Sequence, residues 1–511
     1  MAPDEGPKTP KRSGSLLSGA SILLVGRYAV AILGWLGTAI IFRVLGESRF
    51  GQYSVIFAVL GIVGFIADLR LSRIVLAEVL AADEEEAARI VGAYAGLRLV
   101  IGLVSYVIAM IVVGVGGATG NFTSGQVVGA AIGGLNLIIL SVAYGLILLF
   151  EARLWLRDVA LSNVIGQVGG FVVIVTVTVA GVGSLLWYVG ASVFNGVIFL
   201  LWLVFALRRG VRPRIVFDRR EWWGWIREAA PLALGAALDT IYFRIDLVML
   251  QIIGTSAAAG LYAVGYKFAD LLGAVPSAIV TPALTLMVAS WPEDPAAFRR
   301  TFRHAAVILT VGAVGASAGF IVFADPVVTA LYGSNASRAA DSARLLVVGQ
   351  SLHFFTIMAF ATLVAVKRNR LYPIAMLVGV VVNVTLNLVL IPKYSYIGSG
   401  WATVITESIV LFAIGTGVAR IPGLRPFPWA AVSKTVGAGG VAGLVGWAVL
   451  GRIPWPLGLA LVGILYLGLV HVLAPNGPGG LRAFGGEPHD DLLTIVDEGY
   501  DRPGPAGSPG N

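Results

Sequence analysis

Cysteine is absent from this chain of 511 residues, and charged residues make up only 13% of it. The lack of cysteine excludes disulfide bonds and cysteine-ligated metal sites. Histidine is also scarce, and His304, His353, His471 and His489 show no spacing typical of metal ligands. Soluble domains contain roughly 25% charged residues, whereas 57% of the residues here are hydrophobic. The composition predicts a chain that lies mostly in a lipid bilayer and requires no metal or other cofactor.

Positive charge is in excess, with 36 Lys and Arg residues against 28 Asp and Glu residues, for a net charge of +8. The basic residues fall mainly in connections between apolar stretches, where such residues set membrane topology. We therefore predict no nucleic-acid partner. No segment alternates in the manner of barrel strands. The predicted fold class is an all-α polytopic membrane protein.

Fourteen apolar stretches are long enough to cross a bilayer, which takes about 20 residues. Lys and Arg concentrate in every second connection, and this predicts that both termini are cytoplasmic. Pro276 and Pro282 predict a bend in the eighth span. The predicted spans are 16–45, 50–69, 88–115, 126–150, 158–182, 185–207, 231–253, 260–282, 303–323, 343–366, 371–391, 398–419, 430–450 and 455–474.

A short motif recurs along the chain and predicts two lobes. Leu45-Gly46 precedes Gly51-Gln52-Tyr53, and Ile253-Gly254, 208 residues later, precedes Gly260-Leu261-Tyr262. The offset covers an even number of spans, so the two lobes are predicted to be parallel pseudo-repeats with a substrate site between them. The predicted boundaries are a cytoplasmic tail at 1–15, an N-lobe at 16–207, an interfacial linker at 208–228, a C-lobe at 229–420, two further helices at 421–474 and a disordered cytoplasmic tail at 475–511.

Ionisable and amide side chains occur inside the predicted spans. A charge at the bilayer centre costs roughly 2.5 to 3.5 kcal/mol on insertion scales, so such residues normally face a bundle interior or a water-filled cavity. They indicate a path for a substrate or an ion. The candidates are Arg27, Arg98, Asp239, Arg244, Asp246, Lys267, Asp270, Asn383, Asn387 and Glu407.

Three stretches resemble one known family. They are GRYAVAILGWLGTAIIFRVLGESRFGQYSV, YFRIDLVMLQIIGTSAAAGLYAVGYKFAD and NVTLNLVLIPKYSYIGSGWATVITE. The family is the polysaccharide biosynthesis (O-antigen type) flippases of the multidrug, oligosaccharidyl-lipid and polysaccharide exporter superfamily. The resemblance implies twelve to fourteen helices in two lobes around a central cavity. It also implies a transporter and not an enzyme, without catalytic residues.

The resemblance further implies a substrate, an undecaprenyl-diphosphate-linked oligosaccharide that moves from the inner to the outer leaflet by alternating access. It implies a location in the bacterial plasma (inner) membrane. Membrane lipids are expected partners, as are polysaccharide polymerases or glycosyltransferases. A lipid II-type exporter and a multidrug exporter of the same superfamily remain alternatives, as does a non-transport component of a polysaccharide assembly complex. A membrane enzyme is less favoured, because the outer connections are short and hold no nucleophile or metal constellation.

A diphosphate substrate gives the basic candidates a role, because arginine binds phosphate through paired hydrogen bonds. Arg27, Arg98 and Arg244 are predicted to form one cationic site, with Lys267 as a further contact. Each has an alternative interpretation. Arg27 and Arg98 could extend to the membrane interface, Arg244 could pair with Asp239 or Asp246, and Lys267 could pair with Asp270.

The amide candidates also allow two interpretations. Asn383 and Asn387 are four residues apart and therefore share a helix face, as do Thr403 and Glu407. Asparagine within a membrane helix often links helices, and the alternative is contact with substrate sugars.

Overall fold

The computed structural model describes residues 13–68, 71–207, 215–368, 371–421, 424 and 427–473. Within these ranges the regular elements are helices, so the prediction of an all-α fold is confirmed there. One 3-10 turn, Ser334–Ala336, precedes α11. The helices are α1 Ser13–Asp68, α2 Ser72–Ala81, α3 Glu84–Ala118, α4 Ser124–Ala152, α5 Leu156–Val179, α6 Leu185–Ala206, α7 Arg219–Ile253, α8 Ser256–Leu272, α9 Ala274–Ser290, α10 Pro295–Tyr332, α11 Ala339–Ala365, α12 Leu371–Ala419, α13 Trp429–Val449 and α14 Trp455–Leu473.

Helices α1 and α12 each contain two predicted spans. Gly46 breaks α1 with a φ of 71°, a left-handed conformation that glycine adopts without steric cost. Ser395 breaks α12 with a φ of 54°, three residues after Pro392, which lacks a backbone N–H. Helix α8 ends at Leu272 and α9 begins at Ala274. With α8 and α9 taken as one span and the short α2, which matches no predicted span, set aside, the described helices match the predicted spans in order. Eleven helices of the described residues are long and apolar enough to cross a membrane.

The backbone divides into two compact units. The first contains residues 1–274 and 324–420, and the second contains 275–323 and everything from 421 onward. In the second unit, the Tyr466 hydroxyl donates a hydrogen bond of 2.8 Å to the Val311 carbonyl oxygen and so ties α14 to α10. The two-lobe boundaries predicted from the repeat stay a prediction.

Residues 219–228, predicted as part of an interfacial linker, are the first turns of α7. The Trp222 indole donates to the Ala93 carbonyl oxygen at 2.8 Å, and the Trp225 indole donates to the Glu78 carboxylate at 2.9 Å. Trp222 and Trp225 share a helix face because they are three residues apart, whereas Trp223 points outward and is 67% exposed. The start of α7 is therefore docked on α2 and α3.

The two glycines of the repeated motif touch each other. A Cβ placed on Gly51 would lie 1.7 Å from the Ser256 carbonyl oxygen and 2.8 Å from the Gly260 nitrogen. A Cβ placed on Gly260 would lie 2.0 Å from the Glu47 carbonyl oxygen. Because these neighbours are backbone atoms, only glycine permits this approach. We call the contact between Gly51 and Gly260 the glycine crossing.

Candidate functional site

A buried carboxylate with neutral partners lies between α7, α8 and α12. Asp246 accepts hydrogen bonds from the Tyr262 hydroxyl at 2.7 Å, the Thr403 hydroxyl at 3.2 Å and the Asn387 amide nitrogen at 3.2 Å. The same Asn387 nitrogen donates to the side-chain oxygen of Asn383 at 2.9 Å. We call these five residues the Asp246 network. Asn387 thus joins α12 to α7, while its bond to Asn383 lies within α12; contact of these amides with substrate sugars stays a prediction.

Helix geometry explains why the Asp246 network assembles. Its members on α7 and α8 lie eight residues on either side of Gly254. On α12, Asn387 and Thr403 lie eight residues on either side of Ser395. Eight helical residues extend about 12 Å, so all four side chains lie at the same depth below the two helix breaks.

A second buried carboxylate lies one turn further from the same breaks. Glu407 accepts a hydrogen bond from the Tyr242 hydroxyl at 2.9 Å and from the Thr356 hydroxyl at 3.4 Å. Its Oε1 lies 3.1 Å from Nδ1 of His353, which α11 supplies. The Phe243 ring packs edge-on against the imidazole at a centroid distance of 4.9 Å. We call Glu407, Tyr242, Thr356 and His353 the Glu407 network.

A cavity of about 380 Å³ lies between α1, α5, α6 and α8. Its polar lining includes Lys267 and Asp270 from α8 together with Gln167 and Asn195, whose side chains share a hydrogen bond of 2.9 Å. The aromatic side chains that line it are Trp35, Tyr53 and Tyr188. We call it the Lys267 cavity. One cation, two amides and three aromatic rings in this lining suit a ligand that has both anionic and sugar-like parts, although Asp270 adds a negative charge.

A second cavity, of about 320 Å³, is lined by α1 beyond its break, α3 and α4. Arg98 lines it and is 1% exposed. The Arg98 Nε donates to the Ser141 carbonyl oxygen at 3.2 Å, and the guanidinium lies 5.7 Å from the centre of the Tyr144 ring. We call it the Arg98 cavity, and most of its other lining is apolar.

The structure places two of the predicted basic residues, Arg98 and Lys267, at different sites. Lys267 and Arg98 line different cavities. Arg244 lies 3.9 Å from Asp270 and 5.4 Å from the centre of the Tyr266 ring. Arg27 belongs to α1 and precedes Ala31, a residue of the Lys267 cavity, by one helical turn, but its side chain lies outside the described residues. The single cationic site stays a prediction.

The structure corrects the sequence interpretation of which carboxylate pairs with Arg244. The sequence pointed to Asp239 or Asp246, but these lie five and two residues away and so on other faces of α7. Asp270 reaches Arg244 from the neighbouring α8. Asp239 instead accepts a hydrogen bond from the Tyr372 hydroxyl at 3.3 Å.

Sequence reasoning missed several residues of these sites. His353 was noted only for its lack of metal-ligand spacing, and its partner Glu407 is 54 residues away. Gln167 and Asn195 are single polar residues in apolar helices. The repeated Gly-x-Tyr motif was a signal for Tyr262, although not for its bond to Asp246. No group of three or more His, Asp or Glu side chains is placed to hold a metal ion in the described ranges.

Replacing Asp246 by alanine is expected to destabilise the protein by about 1–3 kcal/mol, the cost of a buried donor that loses its acceptor. The Tyr262 hydroxyl loses the carboxylate that accepts its hydrogen bond, whereas the Thr403 hydroxyl keeps the Ser399 carbonyl oxygen and the Asn387 amide keeps Asn383. Thermal unfolding of the detergent-purified protein measures the effect. Asp270→Ala is the matched control, because Asp270 is exposed. An equal, small change for both variants would contradict a stabilising role of the Asp246 network.

The helices, the buried polar networks and the cavities together define a polytopic membrane protein with a transporter fold. A family model described as polysaccharide biosynthesis protein matches residues 40–341. The match covers more than half of the chain, and the chain therefore belongs to the polysaccharide biosynthesis protein family. No curated protein matches the chain.

Solved structures identify the fold. The lipid II flippase MurJ, in an inward closed conformation, is 13% identical, with a TM-score of 0.71 over 89% of this chain and 99% of that chain. An inward-facing multidrug resistance MATE family transporter of the MOP superfamily is 16% identical, with a TM-score of 0.64 over 76% and 94%. The MATE multidrug transporter DinF-BH in complex with R6G is 14% identical, with a TM-score of 0.58 over 82% and 98%. At these identities the likeness establishes the fold of the superfamily.

Proposed function

We propose that this protein is a flippase for an undecaprenyl-diphosphate-linked oligosaccharide, a precursor of a cell-surface polysaccharide. It moves the headgroup from the inner to the outer leaflet by alternating access. The observation that carries the proposal is the Lys267 cavity in a member of the polysaccharide biosynthesis protein family. The polyprenyl chain stays in the lipid while the headgroup crosses inside the protein.

The lining of the Lys267 cavity fits such a headgroup better than a cationic drug. Lys267 supplies a positive charge for the diphosphate. The side chains of Gln167 and Asn195 offer hydrogen bonds to sugar hydroxyls. Trp35 and Tyr188 add aromatic surface to the same cavity. The volume, about 380 Å³, is near the lower end of the roughly 300–1,000 Å³ found for small-molecule pockets, which suits the diphosphate end of the substrate.

A lipid II-type exporter and a MATE multidrug exporter would both share this fold. A MATE exporter would differ in the charge of the ligand that its cavity prefers. Asp270 at the edge of the Lys267 cavity is the feature that favours a drug exporter, because a carboxylate attracts a cationic drug. Arg244, 3.9 Å away, offsets that charge. The flippase proposal therefore requires the cavity to be positive overall.

Reconstitution tests the proposal directly. The purified full chain is placed in phosphatidylethanolamine and phosphatidylglycerol vesicles with a fluorescent polyprenyl-diphosphate-linked N-acetylglucosamine, and dye quenching reports its movement between leaflets. Faster movement than in protein-free vesicles is expected. Parallel vesicles with ethidium measure drug transport. Ethidium transport without movement of the lipid-linked sugar would replace the flippase proposal by the multidrug exporter.

The proposed orientation has its own test. Reporter fusions at Arg212 and Asn476 are expected to report the cytoplasm, and a fusion at Asn121 the outside, because basic residues flank the first and are absent near 116–125. Paired alkaline phosphatase and fluorescent-protein fusions in a bacterial inner membrane provide the readout. An external signal at Arg212 would overturn the proposed topology.

A further inference from the structure

We propose that His353 and Glu407 form a proton-binding site that drives the conformational cycle of this protein. The inference rests on the proposed transport function and adds the identity of the coupling ion. Both side chains are buried, with exposures of 9% and 2%. Nδ1 of His353 lies 3.1 Å from Oε1 and 3.3 Å from Oε2 of Glu407, so one proton can be shared by the imidazole and the carboxylate.

The contacts around the pair stabilise it in both protonation states. The hydroxyls of Tyr242 and Thr356 donate to opposite oxygens of Glu407. With the proton bound, the pair is an imidazolium beside a carboxylate and is neutral overall. After the proton leaves to water, the two hydroxyl donors still hold the carboxylate. Proton uptake and release therefore require no other bond to break.

The charges of the neighbouring helices favour proton uptake. Glu407 and Asp239 are the carboxylates whose charges act on His353. Glu407 is buried, and a buried negative charge is costly where the dielectric constant is low, so a proton on His353 makes the pair neutral. The other ionisable groups of α7, α8 and α12 in this region are Asp246, Asp270, Arg244 and Lys267, with the phenols of Tyr242, Tyr262 and Tyr266.

The position of the pair couples the proton to conformation. His353 belongs to α11 and Glu407 to α12, while Tyr242 and Phe243 come from α7. The Phe243 ring packs edge-on against the imidazole, so a movement of α7 relative to α11 changes the surroundings of His353. A proton that binds one conformation more tightly than the other shifts their populations, which is the requirement for coupling.

The absence of cysteine makes a direct test practical. Ser48 and Ser337 are exposed and each is adjacent in sequence to a residue of the Glu47–Arg338 contact, whose charged atoms are 4.0 Å apart. Spin labels on a Ser48→Cys, Ser337→Cys protein report the separation of these segments in phosphatidylethanolamine and phosphatidylglycerol vesicles. In sodium-free potassium buffer, the distance distribution of the otherwise unchanged protein is expected to shift between about pH 5 and pH 8, where histidine changes charge.

His353→Gln and Glu407→Gln are each expected to abolish the shift. His304→Gln is the matched control, since His304 is an exposed histidine outside the pair, and it should keep the shift. Tyr242→Phe is a second test that remains informative if His353→Gln and Glu407→Gln fail to fold. It removes one donor to the carboxylate without a change of charge, so the midpoint should move to higher pH with the amplitude retained.

Three results would overturn the proposal. The first is a pH-dependent shift that survives both His353→Gln and Glu407→Gln, and the second is a distance distribution in the parent protein that does not depend on pH. The third is a shift caused by sodium at constant pH, which would point to the oxygen atoms of the Asp246 network. No glycan is needed for this measurement. An intact pH response in a protein that fails to move the lipid-linked sugar would therefore refute the proposed substrate and leave the proton site standing.

Discussion

Replacing Lys267 by methionine is expected to reduce movement of the lipid-linked sugar at least tenfold, and the double variant Lys267→Met, Arg244→Met is expected to reduce it to background. A hydrogen bond to a charged group contributes about 1.5–3 kcal/mol, and each 1.4 kcal/mol corresponds to a factor of about ten. Removal of both cations also leaves the carboxylate of Asp270 without compensation at the edge of the Lys267 cavity. The vesicle assay with fluorescent lipid-linked N-acetylglucosamine measures the rate.

Two variants control for charge and fold. Lys393→Met removes an exposed cation near the break in α12 and should leave the rate unchanged. Lys267→Arg keeps the charge and should remain partly active, because the guanidinium is longer and planar. Full activity of the double methionine variant at normal membrane abundance would show that these cations are structural.

Asp270→Asn separates the flippase from the drug exporter. The substitution removes a negative charge at the Lys267 cavity, so binding of a diphosphate should be maintained or improved while binding of a cationic drug should weaken.

Arg98→Ala addresses the predicted single cationic site. Arg98 lines a separate cavity, so if its effect on the rate equals that of Lys267→Met, the headgroup path includes both cavities. If only the Lys267 variant loses activity, the diphosphate stays in the Lys267 cavity.

The fold was predictable from the sequence because membrane spans depend on length and composition, which are local properties. Gly46 was recognisable as a break because a glycine separated two apolar stretches. The shared face of Asn383 and Asn387 followed from their spacing of four.

The partners of those residues could not be predicted, because they depend on which helices pack together. His353 and Glu407 meet only because α11 packs on α12, and nothing local to His353 distinguishes it from a histidine in an apolar core. Arg244 pairs with Asp270 through the packing of α8 on α7. Arg98 and Lys267 looked equivalent in sequence, yet they line different cavities.

The Gly51→Ala and Gly260→Ala variants are expected to open the glycine crossing. The new methyl group would lie 1.7 Å or 2.0 Å from a carbonyl oxygen, and a backbone atom cannot rotate away as a side chain can. Overpacking of this kind costs about 1–3 kcal/mol, enough to shift a two-state equilibrium roughly fivefold or more. The spin-label distance between positions 48 and 337 should therefore lengthen in either variant at a fixed pH.

The matched control is Gly61→Ala, in the same helix α1, where a Cβ meets nothing within 4 Å. There alanine should leave the distance unchanged and slightly raise thermal stability, because alanine favours a helix over glycine by about 1 kcal/mol. The crossing joins the two turns that carry the repeated motif, so its separation is the movement that the proposed alternating access would require on this side of the protein. If Gly51→Ala leaves the distance unchanged and still allows full transport, the repeats do not separate here, and the opening must lie elsewhere along α1 and α8.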